Sequence, residues 1–308
     1  MALVITLFLA LWAATAQASV AVVDDAGATV RLKRPAQRIV TLAPNAAELA
    51  FAAGAGDRVV GVIKGTDYPP ATRTLPVVGD VNALDLERIV ALAPDLVVTW
   101  PWSSPAQVAW LRARGVAVYE ASPRTVDGIA GDIERIGMLA GTTAIATGAA
   151  SAFRARLAQL AAQRPQGPPL RVFYQVSGTP IFTLGAHHLV TQAITLCGGE
   201  NVFAALSIPA PQVGVEAVLA AHPDVIVAGT DDARRPPWLD AWQRWPTLVA
   251  VRRHLLFVVD ANLLHRPGPR FVEGVAELCA ALAKARETLD MPADRPKLSA
   301  MRRPPSER

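Results

Sequence analysis

Two glutamates hold equivalent positions in this chain. DLERIVALAPDLVVTW (85–100) and GVEAVLAAHPDVIVAG (214–229) align without a gap, placing Glu87 on Glu216, Pro94 on Pro223 and Asp95 on Asp224. A carboxylate in the first turn of a helix gains a few tenths of a kcal/mol from the helix dipole. Two such carboxylates, on equivalent helices, could instead engage two equivalent basic pockets on a partner. The histidines are His187, His188, His222, His254 and His265. A metal site needs several such ligands to converge. His222 and His254 read as surface residues, the side chains of His187 and His188 diverge in an extended loop, and only His265 falls where a ligand is expected. Asp24–Asp25 and Asp231–Asp232 read as solvated carboxylates in turns. G-x-S-x-G, H-E-x-x-H, a P-loop and a G-x-G-x-x-G after a strand are all missing. No catalysis, no cofactor and no bound metal are expected.

The elements around these residues repeat. RIVTLAP (38–44), DRVVGVI (57–63), the segment ending at Trp100 and VAVYEA (116–121) are apolar throughout and alternate with helical stretches. That is the pattern of parallel sheets covered on both faces. VAVVDD and ATVRL flank a turn at Ala26–Gly27 and predict a hairpin. Asn45 and Glu48 have capping-box spacing at a helix start, and Gly54 ends that helix. One long helix is predicted over 142–164, stopped by PQGPP. The alternation then restarts with RVFYQV (171–176), a helix through Leu196, the second copy of the repeat and LLFVVD (255–260), before a final helix over 268–285. LCGGEN (196–201) reads as a helix C-cap. The repeat spacing is 129 residues (216 − 87), the size of a domain and far beyond a solenoid period of about 20–50. The fold class expected is α/β, with two similar lobes of mainly parallel sheet joined by a single long α-helix and a ligand cleft between them. The domains expected are an N-terminal lobe over 19–140, a connecting helix over 141–165 and a C-terminal lobe over 166–288.

Ligands of open α/β sheets bind beyond the carboxyl ends of strands. In the first lobe those ends carry Gly65 to Tyr68 and Trp100–Pro101–Trp102. In the second they carry GTPIFTLG (178–185) with Phe182, SIPAPQV (207–213) and NLLHRPGPR (262–270). Such aromatics suit a large, flat, partly apolar ligand, although a single aromatic is core packing more often than not.

TLAPNAAELAFAAG, TDYPP (66–70), DLERIVALAPDLVVTW, LCGGENVF (196–203) and PQV…E…VLA together resemble the cobalamin-binding periplasmic protein of an ABC importer, a substrate-binding family with a helical backbone. The resemblance spans residues 36–285, and haem and siderophore binders share the fold. It implies capture of cobalamin or a related corrinoid, with cobalamin as transported ligand, and delivery to a transmembrane permease. It implies docking of Glu87 and Glu216 on permease arginines, a disulfide between Cys197 and Cys279, aromatic contacts from Trp100 and Phe182, and an arginine at the cleft, Arg266. Gly65, Val81 and Ala210 stand where the best-known family member has large aromatics, and Asn262 replaces an acidic residue. The cleft expected is therefore wider, or served by Tyr68 and Trp102. His265 is the one side chain placed to cap a metal in a bound macrocycle. Another cobamide, a haem or a siderophore remains an alternative ligand.

Composition agrees with export. Residues 1–18 are apolar and end in Ala16–Gln17–Ala18, which reads as a signal peptide cleaved after Ala18. No Lys or Arg precedes the apolar core, and an uncleaved anchor is the alternative. For an exported chain with two cysteines the default is a disulfide, here closing a loop of 82 residues (279 − 197), worth about 4 kcal/mol in the chain-entropy model. Two buried thiols are the other option. Of the net charge of +4, two units lie in residues 289–308, whose Pro- and Arg-rich sequence predicts disorder. No basic stripe remains, so nucleic acid is excluded as a partner, and a periplasmic monomer is expected.

Overall fold

The computed structural model describes residues 19–231 and 234–291. The predicted signal peptide, Asp232 and the tail from residue 292 lie outside them. None of the helices described is long and apolar enough to cross a membrane.

The described chain divides into two compact units, residues 19–122 with 131–150, and residues 123–130 with 151–291. The first begins with a hairpin, β1 (Val20–Val23) and β2 (Thr29–Leu32), paired antiparallel around Gly27 at φ +83°. There follow β3 (Ile39–Thr41), α1 (Pro44–Ala52), β4 (Val59–Val62), α2 (Leu86–Ala91), β5 (Leu96–Thr99), α3 (Pro105–Ala113), β6 (Ala117–Glu120) and α4 (Val126–Ala140). Helix α5 (Thr143–Ala162) starts in the first unit and ends in the second. The second unit continues with β7 (Leu170–Gln175), α6 (Leu189–Leu196), β8 (Gly199–Asn201), α7 (Val215–Ala220), β9 (Val225–Thr230), α8 (Pro237–Asp240), α9 (Val249–Arg252), β10 (Leu256–Asp260), α10 (Ala261–Leu264) and α11 (Phe271–Asp290).

Each unit holds one four-stranded, wholly parallel sheet, in the orders β4-β3-β5-β6 and β10-β9-β7-β8. Counted within its own unit, each is the order 2-1-3-4. The central strands β3 and β5 are buried along their whole length, as is β9 up to its last residue, which their unbroken apolar sequence requires. In both sheets the order reverses between the first and third strands, β3 and β5 in one and β7 and β9 in the other. Open α/β sheets offer ligands a crevice at the carboxyl end of such a reversal.

The sequence repeat builds the same clamp twice. Asp95 accepts hydrogen bonds from the Gln37 and Arg38 amides, at 2.8 and 2.9 Å for the shorter contacts, and so fixes the start of β3. Asp224 accepts from the Arg171 amide at 2.9 Å and fixes β7. Arg38 and Arg171 in turn donate to the carbonyls closing α2 and α7, Leu92 and Ala221, at 2.8 Å each. Ala93 and His222 take φ of +45° and +42° to turn the chain there. The arginines cap carbonyls that have no partner within their helices.

Four local expectations are corrected. Ala43, not Asn45, caps α1, and Pro44 occupies its first position; Asn45 and Glu48 are buried inside the helix. Proline fits that first turn because it lacks the amide that would go unpaired there. LCGGEN is more than a cap, since Gly198 turns the chain at φ +85° and residues 199–201 add edge strand β8 to β7. Asp24 and Asp25 are not solvated. Asp24 binds the Ala28 amide at 2.7 Å, while Asp25 binds the Ser122 amide at 2.8 Å and pairs with Arg135. The final helix runs over Phe271–Asp290, later than expected, because Pro267 and Pro269 keep the preceding segment out of helix.

The chain between β6 and α4 is held to the second unit. Gln192 accepts from the Val126 amide at 3.1 Å and donates to the Arg124 carbonyl at 2.8 Å, and Arg154 pairs with Asp127 at 2.7 Å. Helix α4 is therefore divided between the units, as α5 is. Cys197, at the end of α6, and Cys279, on α11, form a disulfide with Cα atoms 4.7 Å apart.

Candidate functional site

In the first unit the carboxyl ends of β3, β4 and β5 carry three buried polar atoms without a partner among the described residues: the hydroxyls of Thr41 and Thr66 and the indole nitrogen of Trp100. Buried donors are seldom left unmade, because each costs its desolvation. Trp100 follows β5 at the sheet's reversal point, half-buried. Thr99 and Ser103 bond hydroxyl to hydroxyl beneath it, bracing the W-P-W turn. Trp102, on the outside of that turn, is 70 % exposed.

The loop after β4 carries Gly65 at φ +87° with open space where a side chain would stand, then exposed Tyr68. The Lys64 amide donates to the Gly79 carbonyl at 2.8 Å, which brings exposed Val81 to the same end of the sheet. Aromatic and aliphatic surface left in water beside unpartnered donors suits a ligand with an apolar body and a polar rim.

In the second unit two strand-end loops are zipped together. Thr183 and Gly185 donate backbone bonds to Pro211 and Pro209 at 3.0 and 2.9 Å, Ala186 to Leu206 at 2.9 Å, and Val213 to Ile181 at 3.0 Å. Gly185 is required there, since a β-carbon would fall 2.1 Å from the Ile208 carbonyl oxygen. The resulting ledge bears half-buried Phe182 and exposed Leu206, Ile208 and Ala210.

At the end of β10, Asp260 caps α10 through the Asn262 amide at 2.8 Å, and the Asn262 side chain donates to the Asp231 carbonyl. His265 follows, its Nε2 lying 3.0 Å from the Tyr174 hydroxyl. Gly229, on the neighbouring β9, makes room for this pair, as a β-carbon would come within 2.3 Å of that hydroxyl. His188 caps α6 by accepting the Val190 amide at Nδ1, 3.2 Å away, and its ring stands 6.3 Å from that of His265, edge to face. Burial lowers the pKa of each imidazole from 6.5 to about 4, His188 being lowered further by its neighbour. Both are neutral at pH 7. His187 and His188 diverge, but His188 turns to His265 and was missed; its place just after a strand-end loop and just before an apolar helix was the available signal. Arg266 is half-buried beside them. No group of three or more metal-ligating side chains occurs among the described residues.

Glu87 and Glu216 lie in the first turns of α2 and α7. Both are exposed, and among the described residues neither makes a hydrogen bond or ion pair. The caps of the two helices differ: Asp85 accepts from the Arg88 amide at 2.9 Å, whereas Gly214 offers no side chain.

Residues 39–263 match the family described as periplasmic binding protein. The chain is 37 % identical over 254 residues to a vitamin B12-binding protein of Vibrio cholerae, covering 82 % of this chain and 91 % of the relative. Its fold superposes on the crystal structure of the periplasmic vitamin B12 binding protein BtuF of Vibrio cholerae with a TM-score of 0.74 at 36 % identity, covering 82 % and 99 % of the two chains. It also superposes on the periplasmic heme-binding protein RhuT of Roseiflexus sp. RS-1, with a TM-score of 0.70 at 28 % identity over 81 % and 98 %. The chain belongs to the periplasmic binding protein family.

Proposed function

We propose that this chain is the substrate-binding component of an ABC importer that captures cobalamin or a related corrinoid in the periplasm and delivers it to the membrane permease. The observation that carries this reading is the similarity to vitamin B12-binding proteins along nearly the whole described chain. The exposed aromatic and aliphatic surface at the strand ends supports it physically. Trp100, Trp102, Tyr68 and Phe182 stack on the macrocycle, Gly65 leaves room for it, and Asn262, His265 and Arg266 meet its polar periphery. The ligand is cargo and the chain performs no catalysis on it. The signal peptide is removed after Ala18 on export.

Glu87 and Glu216 dock the loaded protein on two arginine-lined pockets of the permease. Their exposure and lack of internal partners support this role, since a carboxylate committed to its own fold would be paired. A haem is the second reading, favoured by the buried, neutral imidazole of His265 at the strand end.

A double dissociation tests the assignment. Trp100→Ala should weaken cyanocobalamin binding roughly five- to thirtyfold, the scale of a lost stacking contact of about 1–2 kcal/mol, with the melting temperature little changed. The Glu87→Ala, Glu216→Ala double variant should bind as the wild type does and fail to support uptake in cells that depend on it. Loss of affinity in the double variant would place those glutamates at the ligand instead.

A further inference from the structure

The polar side of the second unit's ledge holds a group that the ligand contacts named so far do not use. His188 accepts the Val190 amide at Nδ1, which fixes its tautomer, because a neutral imidazole accepting at one nitrogen carries its proton on the other. Its Nε2–H is therefore a donor, and among the described residues it has no hydrogen-bond partner. The ring is half-buried and held in place by the cap on one side and the edge-to-face contact with His265 on the other. His265 is itself tied to Tyr174, which lies on β7 at the reversal point of the second sheet. The pair thus stands where ligands of such sheets bind, with its one free donor preset in direction.

The geometry points to His188 as a ligand-contacting residue whose Nε2–H donates to an oxygen acceptor on the rim of the bound tetrapyrrole. This rests on the function proposed above. The acceptor is a side-chain amide carbonyl if the ligand is a corrinoid, and a carboxylate if it is a haem. A preset neutral donor serves either, since it needs no proton exchange and little reordering on binding. His188 does not act as a metal ligand in this arrangement, because the nitrogen left over carries the proton.

Replacing the residue separates its two roles. His188→Asn keeps an acceptor for the Val190 amide, asparagine being a good N-cap, but cannot reach as far with a donor. His188→Ser does the same with a shorter side chain. Both variants and the wild type are titrated with cyanocobalamin and with haemin, and their melting temperatures compared. The expected result is wild-type melting with affinity for the bound ligand lowered roughly three- to tenfold, the range for one neutral hydrogen bond. The arm that shows the loss identifies the acceptor. Wild-type affinity in a folded variant would overturn the assignment of His188 while leaving the proposed function intact. Absence of binding of either ligand to the wild type would overturn both.

Discussion

Asp132 is fully buried, and one of its carboxylate oxygens has no hydrogen-bond partner among the described residues. The other accepts from the Tyr119 hydroxyl and from Arg135 at 2.6 Å. Arg135 must also serve Asp25, so a single cation is shared by two carboxylates. Burial, and then the charge of Asp25, raise the pKa of Asp132 from 3.8 to about 7. The folded protein therefore binds a proton that the unfolded chain has released between about pH 4 and pH 7, and this group's contribution to stability falls as pH rises through that window. His188 and His265 act in the opposite direction, since their lowered pKa values cost stability as pH falls below the unfolded value of 6.5. Comparison with Asp132→Asn isolates the acid. Relative to that variant, the wild type should lose on the order of 3 kcal/mol of unfolding free energy between pH 5 and pH 8, measured by urea titration. Parallel profiles would show that Asp132 stays ionised throughout. None of this was legible in the sequence, where Asp24–Asp25 reads as a solvated turn and nothing singles out Asp132. Burial of a short polar side chain depends on partners that lie up to 110 residues away.

The helix–turn–strand element is where the repeat has its physical meaning. Asp95 and Asp224 each pin the start of a strand more than fifty residues upstream, and Arg38 and Arg171 close the helices in return. Asp95 serves two amides and Asp224 one. Asp95→Ala should therefore destabilise by about 2 kcal/mol and Asp224→Ala by about 1, since charge-assisted bonds are worth this much when partly exposed. Equal losses in denaturant unfolding would contradict the assigned partners. The shared Pro and Asp were visible in the sequence. The arginines were not, because they lie outside the aligned window and at different separations, 57 and 53 residues from their carboxylates. The same locality explains the other differences: alternating apolar strands and helices were readable from pattern, whereas the three-residue strand β8 owes its existence to its neighbour β7 and leaves little local signal. The Cys197–Cys279 pairing was readable because only two cysteines exist to pair.

At the scale of the molecule, both sheets have the order 2-1-3-4; the strand-end loops of the first present exposed aromatics beside unpartnered polar atoms, and those of the second an exposed aliphatic ledge. The aromatics at the strand ends were legible as residue types, and the fold class as the alternation that creates those ends. His188 was not, since nothing in the pair His187–His188 says which ring turns inward until His265 is brought to it from 77 residues on. Nor was the ledge bearing Ile208, which depends on Gly185 admitting another loop's backbone. The residues Gly65, Val81 and Ala210 make the identity of the proposed ligand the central claim under test. Titration of the purified mature protein with cyanocobalamin, followed by tryptophan quenching and calorimetry with haemin in parallel, tests it most directly. One-to-one cobalamin binding with a dissociation constant below about 1 μM, roughly 8 kcal/mol of binding free energy, is the predicted result. Saturable binding of haemin with none of cobalamin would contradict it.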